Sequence, residues 1–377
     1  MLGSHKIVID EWAEVYDLLK SSADSTFWQW SDVVLDPDTI YVIGRVVLKE
    51  NWQVITSWAA QHPGRIVFCN PAEGSQTILL QLTRLRILDH VQNGNILLIT
   101  SGGLEPGYNQ LSTDCYFSNI VEYLENLQAH ESYPLVHHKN PKPYDFLFLN
   151  GRLRPHRKYL IDSLRELNLL DRALWTNLQA TVDMAWTSQL PTAMTEPIRT
   201  LPIAYEIARA HDNLSTAANH EFAKHHLFNN TWGDAIINPQ AYVDTSFSVI
   251  TETIFDYPYS FRTEKIWKPM IMGHPFVAVA NRGYYRDLKN AGFKTFSHLI
   301  DESFDLIDNP TDRINRVVDT VAHVCYNGAR DFLTAAAEQC KYNYQHLREY
   351  NKQQRHLLPT QFEQYLNERS RISTTTS

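Results

Sequence analysis

Two series of short, β-branched apolar runs, separated by segments of helical periodicity, constrain this chain more than any other feature. Thr39–Val47 is the first such run. Asn51–Ala60 follows, with Val54, Ile55, Trp58 and Ala59 at helical spacing. Arg65–Cys69 reads as a second strand, and "NPAEGS" (Asn70–Ser75) as a loop. Thr77–Val91 reads as a helix with Ile78, Leu82, Leu85 and Leu88 on one face, ended by Gly94. Asn95–Thr100 is a third strand, "SGGLEPG" a loop, and Thr113–Leu127 another helix. Strands joined this way run parallel, through right-handed crossovers, in a sheet covered on both faces.

The alternation stops at "HESYPLVHHKNPKPY" (His130–Tyr144), whose proline and polar content mark a linker. It then restarts. Asp145–Leu149 is a strand, Asn150–Pro155 a turn, and Arg157–Leu167 a helix with Leu160, Leu164 and Leu167 on one face. A less regular stretch occupies residues 180–240. Strand Phe247–Thr251, a helix opening after Thr263, strand Phe276–Ala280 and helix Tyr284–Ala291 with Gly292 as its cap follow. "FKTF" reads as a short strand. The C-terminal third reads as helical, with Ile314, Val317, Val318, Val321 and Val324 on one face and "RSRISTTTS" as a frayed tail. The fold class expected is α/β, with two Rossmann-like doubly wound domains facing a cleft. Residues 1–135 form the first, 136–143 the linker and 144–350 the second. A helical tail at 351–377 is placed to pack back on the first. Ligands in such sheets bind outside the carboxyl ends of the strands, so the loops directly after strands are the ones to inspect.

Composition narrows the function. Of 377 residues, 44% are apolar and 20% charged, as in an ordinary soluble enzyme, and the formal net charge of −8 argues against broad binding to a nucleic-acid backbone. No apolar run approaches the roughly 18–20 residues of a membrane span. No signal-like apolar region follows Met1–Lys6, and the four cysteines are widely spaced with no CxxC pair, so a cytoplasmic protein with reduced thiols is expected.

The charged loops carry the chemistry. In "SFRTEKIWKPMIMGHPF" (Ser260–Phe276), Thr263 suits an N-cap and places Glu264 and Lys265 in the first helical turn. Glu264 suits the helix dipole there. Lys265 does not, unless an anion sits nearby; a solvated first turn is the alternative. Pro269 falls deeper and must kink or shorten the helix. Arg152, Arg154 and Arg157 follow the strand ending at Leu149, where they suit an anion or simple solvation. Glu252 ends the apolar strand in "VITET", placed to grip a sugar hydroxyl or to face solvent. "DPD" (Asp36–Asp38) reads as a turn, and His220, Glu221, His225 and His226 lack the HExxH order, so no metal site is expected.

"TETIFDYPYSFRTEKIWKPMIMGHPFVAVA" resembles the donor-binding signature of the α1,3-fucosyltransferase family, and "LNGRLRPHR" is similar to the start of that family's nucleotide-binding domain. The stretch from Phe261 to Asp305 looks closer still to uncharacterised phage and bacterial glycosyltransferase-like proteins. The resemblance covers about Tyr144–Asp305 and implies a GT-B glycosyltransferase without a metal or other cofactor. It implies that Arg157 and Lys265 neutralise a donor diphosphate; Arg152, from the arginine cluster, is placed with them as a substrate-binding candidate. Glu252 and Glu264 would hold ribose or sugar hydroxyls, Asn150 would support the turn, and Tyr257 or Tyr259 would pack near the base or sugar. The family inverts the anomeric centre, which needs a base from the first domain: Glu73 in "NPAEGS", with Glu105 in "SGGLEPG" as the alternative. The partners implied are a nucleotide sugar, with a GDP-sugar favoured, and a glycan or lipid-linked acceptor. Phe261 and Arg262 stand where the family has an aromatic, usually tyrosine, and an apolar residue, so the sugar stays open. So do a non-catalytic nucleotide- or glycan-binding protein of the same fold, a nucleic-acid-modifying glycosyltransferase and a nucleotide-sugar epimerase.

Overall fold

The computed structural model describes residues 6–10, 27–28, 34–104, 106–114, 141–150, 154–177 and 239–375. Contacts divide the chain into two units, Met1–Ser118 with Tyr350–Ser377, and Asn119–Glu349. Each is an α/β unit built on a sheet whose described pairings are all parallel.

In the first unit, β1 (Lys6–Asp10), β2 (Phe27–Trp28), β3 (Thr39–Ile43), β4 (Ile66–Gly74), β5 (Ile96–Ser101) and β6 (Gln110–Ser112) lie in the order β2-β1-β3-β4-β5-β6. Helices α1 (Arg45–Gln61), α2 (Ser75–Arg84) and α3 (Leu88–Gln92) cross between strands. Alternation along the strands splits the core in two. Val8, Tyr41, Phe68 and Leu98 face Ile55, Ala59, Ile78 and Leu82 of the helices. Ile7, Ile40, Val67 and Leu97 face Leu358, Phe362 and Leu366 of the last helix, α9 (Ala337–Thr375).

Several local expectations change. The sequence pattern places no strand at Lys6–Asp10, yet β1 lies between β2 and β3. β3 stops at Ile43 rather than Val47, because the chain turns at Gly44, whose amide donates to Asp10 Oδ2 at 3.0 Å, and enters α1. β4 runs on through "NPAEG" after a register shift between Cys69 and Gly74. The single helix expected over Thr77–Val91 breaks: Arg86 takes a left-handed φ of 58°, and the Ile87 amide closes back on the Leu82 carbonyl. Thr113 and Asp114 are not helical, and the rest of the helix expected to Leu127 lies outside the described residues, as do residues 130–140 of the linker.

In the second unit, β7 (Tyr144–Asn150), β8 (Ala173–Asn177), β9 (Thr245–Thr251) and β10 (Phe276–Val279) lie in the order β10-β9-β7-β8. Strand β8 is absent from the sequence reading, and residues 178–238 are outside the described set. Helices α4 (Pro155–Glu166), α5 (Pro239–Val243), α6 (Glu264–Ile271), α7 (Tyr284–Asn290) and α8 (Pro310–Ala335) accompany the sheet. The expected face of α8 is buried. Thr263 caps α6 as expected, and the helix ends two residues after Pro269. "FKTF" is not a strand: the Lys294 amide is bonded by the Asn343 side chain and the Phe296 amide by Glu302, so side chains replace a sheet partner. Helix α9 continues to Thr375 through the stretch read as a frayed tail. Cys69, Cys325 and Cys340 are buried thiols.

Both sheets reverse direction beside their first strand, so the crevices at the carboxyl ends fall between β1 and β3 and between β7 and β9. The first unit also depends on the end of the chain. Phe362 is fully buried against its sheet. Phe362→Ala is expected to cost about 3–5 kcal/mol in urea unfolding; a loss below about 1 kcal/mol would show that α9 does not hold this sheet face.

Candidate functional site

The second crevice collects most of the charged residues singled out from the sequence. Strand β9 is buried throughout, so the residue after it emerges at the sheet edge still enclosed. That residue is Glu252, with 0% exposure. Its Oε1 accepts from the Thr263 amide at 3.2 Å and the Tyr284 hydroxyl at 2.5 Å, and its Oε2 from the Thr263 hydroxyl at 2.6 Å. Burial pushes its carboxyl above the usual value, against the pull of Lys265 and of the Thr263 and Tyr284 hydrogen bonds. The carboxylate expected to grip a sugar hydroxyl thus sits among donors from the protein itself.

Thr263 links Glu252 to α6. Its hydroxyl also accepts from the Lys265 amide and, at 3.1 Å, from Lys265 Nζ. Lys265 Nζ further meets Glu264 Oε1 and Thr253 Oγ1. Burial opposes the charge of Glu264, but Lys265, Lys268 and the Lys265 hydrogen bond hold its carboxyl below the ordinary value.

Across the crevice, α4 starts with Pro155 at its first turn, follows an extended Arg154, and has no side-chain cap. Arg157, 3% exposed, reaches from that turn to the carbonyls of Thr251 at 3.1 Å and Glu252 at 3.4 Å. Burial and Arg154 pull its guanidinium down to about 10, while Glu264 and Glu252 support its charge. Asn150, at the end of β7, accepts from the Thr251 hydroxyl at 2.6 Å and so ties the two strands flanking the crevice. His156 was missed in the sequence, although it stands inside "RPHR". Its Nε2 meets the Glu252 carbonyl at 3.0 Å and its ring stacks on Phe255.

The structure therefore brings together Asn150, Arg157, Glu252, Glu264 and Lys265, and adds His156, Thr263 and Tyr284. Tyr257 and Tyr259 lie in the loop between β9 and α6, with ring centroids 5.2 Å apart. Arg152 and Glu105 lie outside the described residues; Glu73 is in β4 of the other unit, and its side chain lies outside them too. At the carboxyl edge of that first sheet, Asn70 Nδ2 and Ser101 Oγ are buried with no hydrogen-bond partner among the described residues. Asp36 accepts from the Asp38 amide and the Thr39 hydroxyl, so "DPD" forms a turn. Among the described residues, no group of three or more His, Cys, Asp or Glu is placed to hold a metal, and no helix is long and apolar enough to cross a membrane.

Two measurements probe this arrangement. Thr263→Ala removes the α6 cap and the hydroxyl donor to Glu252 while keeping the amide donor, and is expected to cost about 2–3 kcal/mol by chemical unfolding; a loss under about 0.5 kcal/mol would show that the network adds nothing. The His156 ring titrates at about 4, below its ordinary 6.5, because of burial and the charge of Arg157. A histidine depressed in the folded state takes up its proton first in the unfolded chain. Stability should therefore fall as pH drops from 6.5 towards 4, by about 1–3 kcal/mol from this group. His156→Phe should flatten that part of the profile, and an unchanged slope would contradict the assignment.

In comparison with known proteins, no family model and no curated protein matches this chain.

Proposed function

We propose that the chain is a glycosyltransferase that moves a sugar from a nucleotide-diphosphate donor to a hydroxyl acceptor, with the donor held at the β7–β9 crevice. The observation that carries this reading is the buried guanidinium of Arg157, fixed to the carbonyls of Thr251 and Glu252 where the strand order reverses. Lys265, in the first turn of α6, adds a second cation to the same electrostatic neighbourhood. Cations and helix amides that neutralise a leaving diphosphate lower the barrier to its departure. The resemblance to the α1,3-fucosyltransferase family assigns the same two residues to the diphosphate and favours a GDP-sugar. Asn150 then supports the turn, and Tyr257 or Tyr259 packs near the base or sugar.

Inversion requires a base to take the proton of the acceptor hydroxyl, and Glu73 or Glu105 is assigned that role. The acceptor proposed is a glycan or lipid-linked sugar.

The test is a thermal-shift panel of GDP, UDP, CMP, TDP and ADP with their sugars, on wild type and Lys265→Ala. One nucleotide class should stabilise the wild type, by about 2.7 kcal/mol at roughly 100-fold excess over Kd. Lys265→Ala should weaken that binding by about tenfold, as loss of one charge-assisted contact does. Release of free sugar or its transfer to an added acceptor then separates an enzyme from a binding protein. No shift with any nucleotide, or an undiminished shift in the variant, would overturn the donor site.

A further inference from the structure

His156 is the second residue of α4, after Pro155. Its ring lies 5.3 Å from that of Phe255 at an interplanar angle of 15°. Phe255 is itself held, since its carbonyl accepts from Arg313 Nη2 at 3.0 Å and the Arg313 guanidinium lies 4.5 Å from its ring centroid. The imidazole is therefore clamped in its plane, and its one hydrogen bond fixes its tautomer. A carbonyl oxygen only accepts, so the contact to Glu252 O requires the hydrogen on Nε2. In the neutral ring that leaves Nδ1 as a bare acceptor. Among the described residues Nδ1 has no hydrogen-bond partner, and it is not one of the polar atoms sealed from solvent.

The surroundings decide what this lone pair can meet. Arg154, Arg157 and Lys265 offer only hydrogen-bond donors, suited to phosphate oxygens. Phosphate oxygens are acceptors and would be repelled by Nδ1. A ligand must bring a hydrogen to this nitrogen, and the part of a nucleotide sugar that does so is a hydroxyl.

We infer that His156 is a specificity-determining residue of the second unit, whose Nδ1 accepts a hydrogen bond from a hydroxyl of the donor, on the ribose or on the transferred sugar. This rests on the nucleotide reading above. It assigns Arg157 and Lys265 to the charge of the ligand and His156 to its hydroxylated part.

Calorimetry with pyrophosphate, the preferred nucleoside diphosphate, its 2′-deoxy analogue and the nucleotide sugar, on wild type and His156→Phe, tests it. Phenylalanine keeps a flat ring against Phe255 and removes both nitrogens. The variant should lose about three- to tenfold in affinity for the hydroxylated ligand, the yield of one hydrogen bond, and hold pyrophosphate within about twofold. If the 2′-hydroxyl is the one read, the deoxy analogue binds wild type and variant alike. If a sugar hydroxyl is read, the loss appears only with the nucleotide sugar. An equal loss for pyrophosphate and nucleotide would overturn the inference, since His156 would then only steady the end of β9; no loss with any ligand would also overturn it. Wild type that binds none of these ligands sinks the nucleotide reading and this inference together. Binding weakened by Lys265→Ala but not by His156→Phe sinks this inference alone. Should the variant fail to fold, the ¹⁵N resonance of wild-type His156 Nδ1 gives the answer. It should move with the hydroxylated ligand and stay with pyrophosphate; movement with both, or with neither, contradicts the assignment.

Discussion

One residue, Glu252, holds the second unit's site together. Its amide donates to Val279 at the end of β10. Its carbonyl takes His156 and Arg157 from the start of α4. Its carboxylate takes Thr263 at the start of α6 and Tyr284 at the start of α7. A strand and three helices thus meet on one fully buried side chain and its peptide group. A buried carboxylate is tolerated only when donors replace its water, and removing one donor costs more than the bond itself because the charge stays behind. That asymmetry makes the cluster act as a unit: α6 cannot move from the sheet edge without uncovering Glu252, and α4 cannot move without releasing the same peptide.

The same edge shows how this fold treats helix starts. The amide of Gly44, just before α1, is taken by the carboxylate of Asp10 on the neighbouring strand. The start of α7 is taken by Asp305, whose two oxygens accept from the amides of Tyr285 and Arg286. The cap of α6 rests on Glu252. In each case an internal acid meets the positive end of the helix dipole. Helix α4 opens instead with Arg154 and Arg157 in or beside its first turn. Cations at a helix N-terminus oppose the dipole. The charge of Arg157 is met there by the carboxylates of Glu264 and Glu252.

Local physics made part of this legible. The buried strands β5, β7, β9 and β10 stand out as β-branched or aromatic runs, and the α6 start follows from Thr263 and two residues beyond it. Other features depend on partners remote in sequence. Arg86 breaks a helix with no glycine to announce it, because the Leu82 carbonyl rewards the left-handed turn. "FKTF" has the composition of a strand but finds Asn343, 49 positions on, instead of a neighbouring strand. His156 meets Glu252 across 96 positions and Tyr284 meets it across 32, so neither role is written in the residues beside it. Only the strand order, which places the ends of β7 and β9 side by side, brings them into one site.

Charge at that site is shared unevenly. The ammonium of Lys265 already has Glu264, Thr263 and Thr253 as acceptors, so an incoming phosphate oxygen must replace one of them. Its gain is then mainly Coulombic, since one hydrogen bond is exchanged for another. Glu264 stays ionised beside it and cancels much of its field. Arg157 Nη2 donates to the carbonyls of Thr251 and Glu252, and Glu264 and Glu252 support its charge. Among the described residues, Arg154, Glu264 and Glu252 act on the charge of Arg157, and Lys265 and Lys268 on that of Glu264. A nucleotide sugar carries one negative charge on each of its two phosphates. In the proposed function Arg157 and Lys265 are the cations set against those two charges, in a chain whose formal net charge is −8.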